Sequence, residues 1–94
     1  MWLKMELCQL KEKILSENDN RQTKRNRLIE NALDLTINSG KMDGNINFIL
    51  YSASSKEEKK KKIKDTEENL KNIMKNIINI ADSLEISLED VLSK

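Results

Sequence analysis

The sequence predicts an all-α protein, a helical hairpin or four-helix bundle, and three observations carry that reading. There is no proline in the 94 residues, and the only glycines, Gly40 and Gly44, lie close together in NSGKMDGN. Proline and glycine are the strongest breakers a chain has, so helices elsewhere are free to run long. Isoleucine, leucine and methionine recur at three- and four-residue steps instead of alternating, which is the period of a helix face. Finally, INFILYSAS is a short apolar run that could be a strand, but no second strand signal exists to pair with it.

Each element has its own signal. Leu3, Leu7, Leu10 and Ile14 form an apolar stripe down a first helix, from about residue 2 to 17. From Ser16 to Arg27 there is no apolar side chain, which predicts a loop near Asn18 to Asn20. A second helix carries Leu28, Ile29, Ala32, Leu33, Leu35 and Thr36, and it is expected to end at Asn38 to Gly40 with glycine in the left-handed cap. INFILYSAS then reads as a loop or short helix whose aromatics, Phe48 and Tyr51, plug the end of the bundle.

Ser55 with Glu58 has the form of a capping box, in which hydroxyl and carboxylate each satisfy a backbone amide, so the longest helix begins near Lys56. Along it Ile63, Leu70, Ile73, Ile77, Ile80 and Leu84 mark a stripe that requires burial, widened by Met74, Ile78 and Ala81. Ser87 and Asp90 start a last short helix. Leu84, Ile86, Leu88, Val91 and Leu92 are expected to fold it back onto the bundle.

Composition limits what such a chain can do. With 37% hydrophobic against 35% charged residues, residues 1–94 form one small domain with a thin core, which predicts a homodimer or higher oligomer. The formal net charge of +1 gives no global field to draw the chain onto nucleic acid or an anionic membrane. The basic clusters RQTKRNR and Lys59 to Lys62 therefore read first as solvated surface, with phosphate contact as the alternative. Cys8 lies among Leu7, Leu10 and their neighbours and reads as a small core residue, a reactive thiol being the alternative. No run approaches a membrane span, and MWLKMELCQLKEK lacks the apolar centre of a secretory signal, so a cytoplasmic protein is expected.

The stretch IADSLEISLEDVL resembles the closing helices of the MazG-type all-α nucleoside triphosphate pyrophosphohydrolases. ENALDL and EENLKNI fall where that family has its two acidic motifs, and the resemblance covers about residues 25–94. It implies two antiparallel helices whose carboxylates hold Mg2+ against a nucleoside triphosphate. Carboxylates three or four apart project from one helix face, and magnesium takes hard oxygen ligands while it neutralises a polyphosphate. The positions that match are Glu30, Asp34 and Glu68, whereas Asn31, Asn69 and Asn72 stand where the family has acids. Asparagine lends a carbonyl oxygen but no charge, and it cannot act as a general base. The catalytic residues are therefore unknown, and Glu30, Asp34 and Glu68 read either as the remaining metal ligands or as ordinary surface acids.

Two further readings use the same residues. INIADSLEISLEDVLSK is also similar to the last helices of lambda-repressor-like helix-turn-helix domains, but residues 56–76 read as one unbroken helix where that fold needs a turn and a recognition helix. A non-catalytic helical protein-interaction module needs only the apolar faces already described.

Overall fold

The computed structural model describes the backbone of residues 2–17 and 23–94, with the side chains of residues 6–17 and 23–94. The architecture is all-α: α1 (Trp2–Ser16), α2 (Lys24–Asn47), α3 (Lys56–Ser83) and α4 (Leu88–Leu92), with a π-helical turn at Phe48–Ser52 after α2. Among the described residues there is no strand, and no helix there is long and apolar enough to cross a membrane. The expected loop at Asn18 to Asn20 lies outside the described residues.

α2 and α3 form the central hairpin. Asn38 of α2 bonds Asn76 of α3 and Asn45 of α2 bonds Asn69 of α3, so numbers rise along one helix as they fall along the other and the pair is antiparallel. α1 lies against α3, where Ile14 is buried and Lys75 pairs with Glu17 at 3.6 Å. α1 is also tied to α4 through Lys11 and Glu89, whose charged ends meet at 2.8 Å.

Local chemistry explains the helix starts. Thr23 caps α2, its hydroxyl accepting from the Asn26 amide at 3.1 Å. Ser55 accepts from the Glu58 amide at 3.2 Å at the start of α3. The Glu58 carboxylate does not close the expected reciprocal box on Ser55; it reaches one residue further back and accepts from both the amide and the hydroxyl of Ser54 at 3.1 Å. Ser87 caps α4 by accepting from the Asp90 amide at 3.3 Å. α3 stops with Ile86 N–H donating to the Ala81 carbonyl at 2.8 Å and Glu85 N–H to the Asp82 carbonyl at 3.1 Å. This is a Schellman closure with Glu85 in the left-handed region at φ 58°.

The expected stop at Asn38 to Gly40 does not occur: α2 runs through both glycines to Asn47. A glycine inside a helix costs about 0.5–1 kcal/mol relative to alanine, and the turns beyond Gly40 offset it by packing Asn45 and Phe48 against α3. The helix then widens, with the Ala53 amide donating to the Phe48 carbonyl at 2.8 Å. Phe48 is half-buried at this end of the hairpin, but Tyr51 is 82% exposed and plugs nothing.

The core departs most from expectation. Among the described residues the buried apolar side chains are Ile14, Ile78 and Ala81, beside the buried asparagines Asn38, Asn69, Asn76 and Asn79. On α3 the asparagines keep the period of the apolar stripe one residue out of phase with it, as Asn69/Leu70, Asn72/Ile73, Asn76/Ile77 and Asn79/Ile80. α2 docks on the asparagine line. The stripe is left at the edge of the hairpin, with Ile73 and Ile80 half-buried and Leu70, Ile77 and Leu84 exposed, while two of the residues that widen it, Ile78 and Ala81, are buried as expected. Nor do the apolar residues in and before α4 fold inward: Leu84, Ile86, Val91 and Leu92 are exposed, and only Leu88 is partly covered. Cys8 is exposed, since it lies about 100° around the helix from Leu7 and further still from the buried Ile14.

Candidate functional site

The polar seam between α2 and α3 contains the residues that the sequence marks for metal binding. Asn76 Nδ2 donates to Asn31 Oδ1 and to Asp34 Oδ2, each at 3.0 Å. Asn38 Nδ2 donates to the same Asp34 oxygen at 3.1 Å and to Asn76 Oδ1 at 3.3 Å. Asn31 also donates to the Arg27 carbonyl at 2.8 Å. One oxygen of Asp34 therefore serves as a structural acceptor for amides on both helices. Glu30 lies one turn earlier, and Glu30, Asn31 and Asp34 line an open cavity of about 240 Å³.

Glu68 is elsewhere. It lines a second cavity, of about 540 Å³, with Lys41, Gly44, Asn45, Phe48, Lys62, Asp65 and Asn69. The register explains the separation. Asp34 meets α3 at Asn76, whereas Glu68 is eight residues earlier on α3, roughly 12 Å at 1.5 Å per residue. Asn31 and Asp34 thus face Asn76, and Glu68 lies at the level of Asn45. Among the described residues no three carboxylate or thiol side chains group closely enough to hold a metal ion.

The cavity around Glu68 has a composition of its own. Lys62, Asp65 and Glu68 project at three-residue steps from α3, and Lys41 faces them from α2. Lys62 Nζ lies 5.1 Å from the centre of the Phe48 ring, a cation–π contact. Asn45 Nδ2 donates to Asn69 Oδ1 at 2.8 Å and holds the floor of the cavity. Magnesium often takes only one or two protein carboxylates and completes its shell with water and substrate phosphates. Asp65 and Glu68 can supply that share, and the two lysines can meet phosphate oxygens.

Glu68 is marked in the sequence as a candidate, whereas Lys41, Phe48, Lys62 and Asp65 are not marked there as its neighbours. The spacing of Lys62, Asp65 and Glu68 was a readable signal. Lys41 was not, because it reaches the cavity only if α2 continues past Gly40.

The outward side of α2 has the opposite character. Ile29, Leu33 and Ile37 are 48%, 63% and 55% exposed. They follow one another at four-residue steps on the face turned away from α3. No protein-family model, curated protein or solved structure matches this chain.

Proposed function

We propose that this chain is a helical protein-interaction module that completes its core by self-association and carries out no chemistry of its own. The observation that carries this reading is the inverted distribution of polarity. Asparagines fill the α2–α3 seam, while Ile29, Leu33 and Ile37 face solvent as a continuous stripe. A helix that buries its polar side and exposes its apolar side loses hydrophobic stabilisation unless another chain covers that side. Sedimentation velocity tests the reading: reversible association at micromolar concentration is expected. A folded monomer at the highest soluble concentration would overturn it.

A second reading rests on the cavity around Glu68. There a nucleoside triphosphate would place phosphate oxygens on Lys41 and Lys62, with Mg2+ shared between those phosphates and the carboxylates of Asp65 and Glu68. Glu30 and Asp34 would then act through the fold, by holding α2 in register. Isothermal titration with magnesium and a nucleotide panel decides it. Binding that Lys62→Ala and Glu68→Gln both weaken supports this reading, and no heat in the native protein removes it.

A further inference from the structure

We propose that the partner covering α2 is a second copy of this chain, whose own α2 lies antiparallel across the exposed stripe of the first, about a two-fold axis at the level of residues 34–35. The proposal rests on the self-association reading and adds the surface, the orientation and the residues that set the register.

Charge complementarity along the stripe is the argument. Ile29, Leu33 and Ile37 form its centre, and charged residues flank both edges. Arg25 and Asp43, both exposed, are eighteen residues apart, about five whole turns, so they stand on one edge. The other edge borders the hairpin seam, where Glu30 and Lys41 line the two cavities already described. A two-fold axis across the stripe brings like edges together with the direction reversed. The midpoint of Arg25 and Asp43 is residue 34 and that of Leu33 and Ile37 is residue 35. One axis there places Arg25 against the partner copy's Asp43, twice by symmetry, while Leu33 packs on Ile37.

A parallel pair in register would lose these pairs. Its two-fold axis runs along the helices and exchanges the two edges, so Arg25 and the partner copy's Asp43 would stand on opposite edges and at opposite ends of the interface, with no cross-pair between them. A parallel pair would also align the two helix dipoles, which the antiparallel pair opposes. The net charge of +1 means that two copies meet without general repulsion. The seam with α3 remains untouched, because it lies on the far side of α2.

Sedimentation equilibrium on four proteins tests this, with circular dichroism confirming that each is folded. The native chain should form a dimer. Asp43→Arg should weaken it by roughly tenfold, because two cross-pairs turn repulsive. The double variant Arg25→Asp/Asp43→Arg should recover most of that loss, since the pairs are restored with their signs exchanged. Leu33→Asp should leave a folded monomer, because an unpaired charge would enter the centre of the interface. A native dimer that is indifferent to Asp43→Arg, or a double variant weaker than the single one, would overturn this interface while leaving self-association standing. A folded native monomer would remove both.

Discussion

Asn76 and Asp34 face each other across the hairpin at 3.0 Å, amide to carboxylate, and this contact fixes how α2 and α3 register. Asn76 uses both halves of its amide, giving its hydrogens to Asn31 and Asp34 and taking one from Asn38. Isoleucine in this seam would bury more apolar area but would slide; a fully paired amide sets one position. The carboxylate that the MazG-like pattern assigns to a metal is here an acceptor between helices.

Removing that amide should therefore cost more than its volume suggests. Asn76→Ala leaves Asn31, Asp34 and Asn38 with lost partners in a buried seam, and should destabilise the fold by about 2–3 kcal/mol. Urea titration measures it; a loss under half a kcal/mol would mean that the network adapts. Asn76→Asp is the sharper probe. It sets two carboxylates about 3 Å apart, which raises the pKa of the pair because both cannot ionise cheaply. A raised acid contributes most below the ordinary carboxylate range, so this variant should lie closer to the native stability at pH 4 than at pH 7. An equal deficit at both would exclude repulsion as the cause.

The contact between Lys11 and Glu89 predicts a pH dependence with a definite sign. The hydrogen bond from Lys11, aided by the backbone and Ser87, holds the Glu89 carboxyl down to about 2. The same hydrogen bond pushes the Lys11 ammonium above its ordinary range. A depressed carboxyl contributes stability above its unfolded value and loses it as pH falls through its folded one. The stability difference between the native chain and Glu89→Gln should therefore be constant at neutral pH, shrink below about pH 4.5 and vanish near pH 2. It should also close at the alkaline end, where Lys11 loses its proton. Chemical denaturation across that range reads the difference. A gap unchanged between pH 7 and pH 2 would show that Glu89 acts by packing alone.

Much of the architecture was legible because the signals were local. Ser55 and Ser87 announce the starts of α3 and α4, and the stripe ending in Ile14 announces α1. Two features were not legible, for different reasons. The length of α2 depends on Asn45 and Phe48 finding partners on α3, and no local rule weighs those contacts against Gly40 and Gly44. The choice of face on α3 is a tertiary decision between two lines of equal period one residue apart, and the apolar line was the natural expectation. The candidate site inherits both errors: Glu68 was visible as an acid, but Lys41 becomes its neighbour only through the longer helix. Asn69 and Asn72, read as departures from an acidic motif, belong to the asparagine line on which α2 docks.

The end of α3 offers a stabilising change. Glu85 sits at φ 58°, a conformation that costs a residue with a Cβ roughly 1–2 kcal/mol. Its ion pair with Lys24 spans 3.5 Å between largely exposed side chains and is worth little. Glu85→Gly removes the strain and keeps the closure, at the expense of a more flexible unfolded chain. A net gain of about 0.5–1 kcal/mol is expected, or a melting temperature a few degrees higher. A lower melting point would mean that Glu85 holds more than its backbone suggests.

The length of α2 can be tested at Gly40, where the two accounts of the helix differ in sign. If the helix stopped there with glycine in the left-handed cap, a Cβ would be strained and Gly40→Ala would destabilise. In the structure Gly40 is inside α2, its φ is not positive, and a Cβ built on it meets nothing within 4 Å. Alanine there should instead stabilise, by about 0.5–1 kcal/mol, through better helix propensity and a stiffer unfolded chain. Because Gly40 faces away from α3, the change leaves the asparagine seam alone. Denaturant midpoints of the native and Gly40→Ala chains, taken over a range of protein concentrations so that a change in association is separated from a change in folding, give the sign. A rise supports the continuous helix that brings Lys41 to Glu68; a fall of 1 kcal/mol or more returns the stop to Gly40, and with it both the Glu68 cavity and the antiparallel α2 interface would be lost.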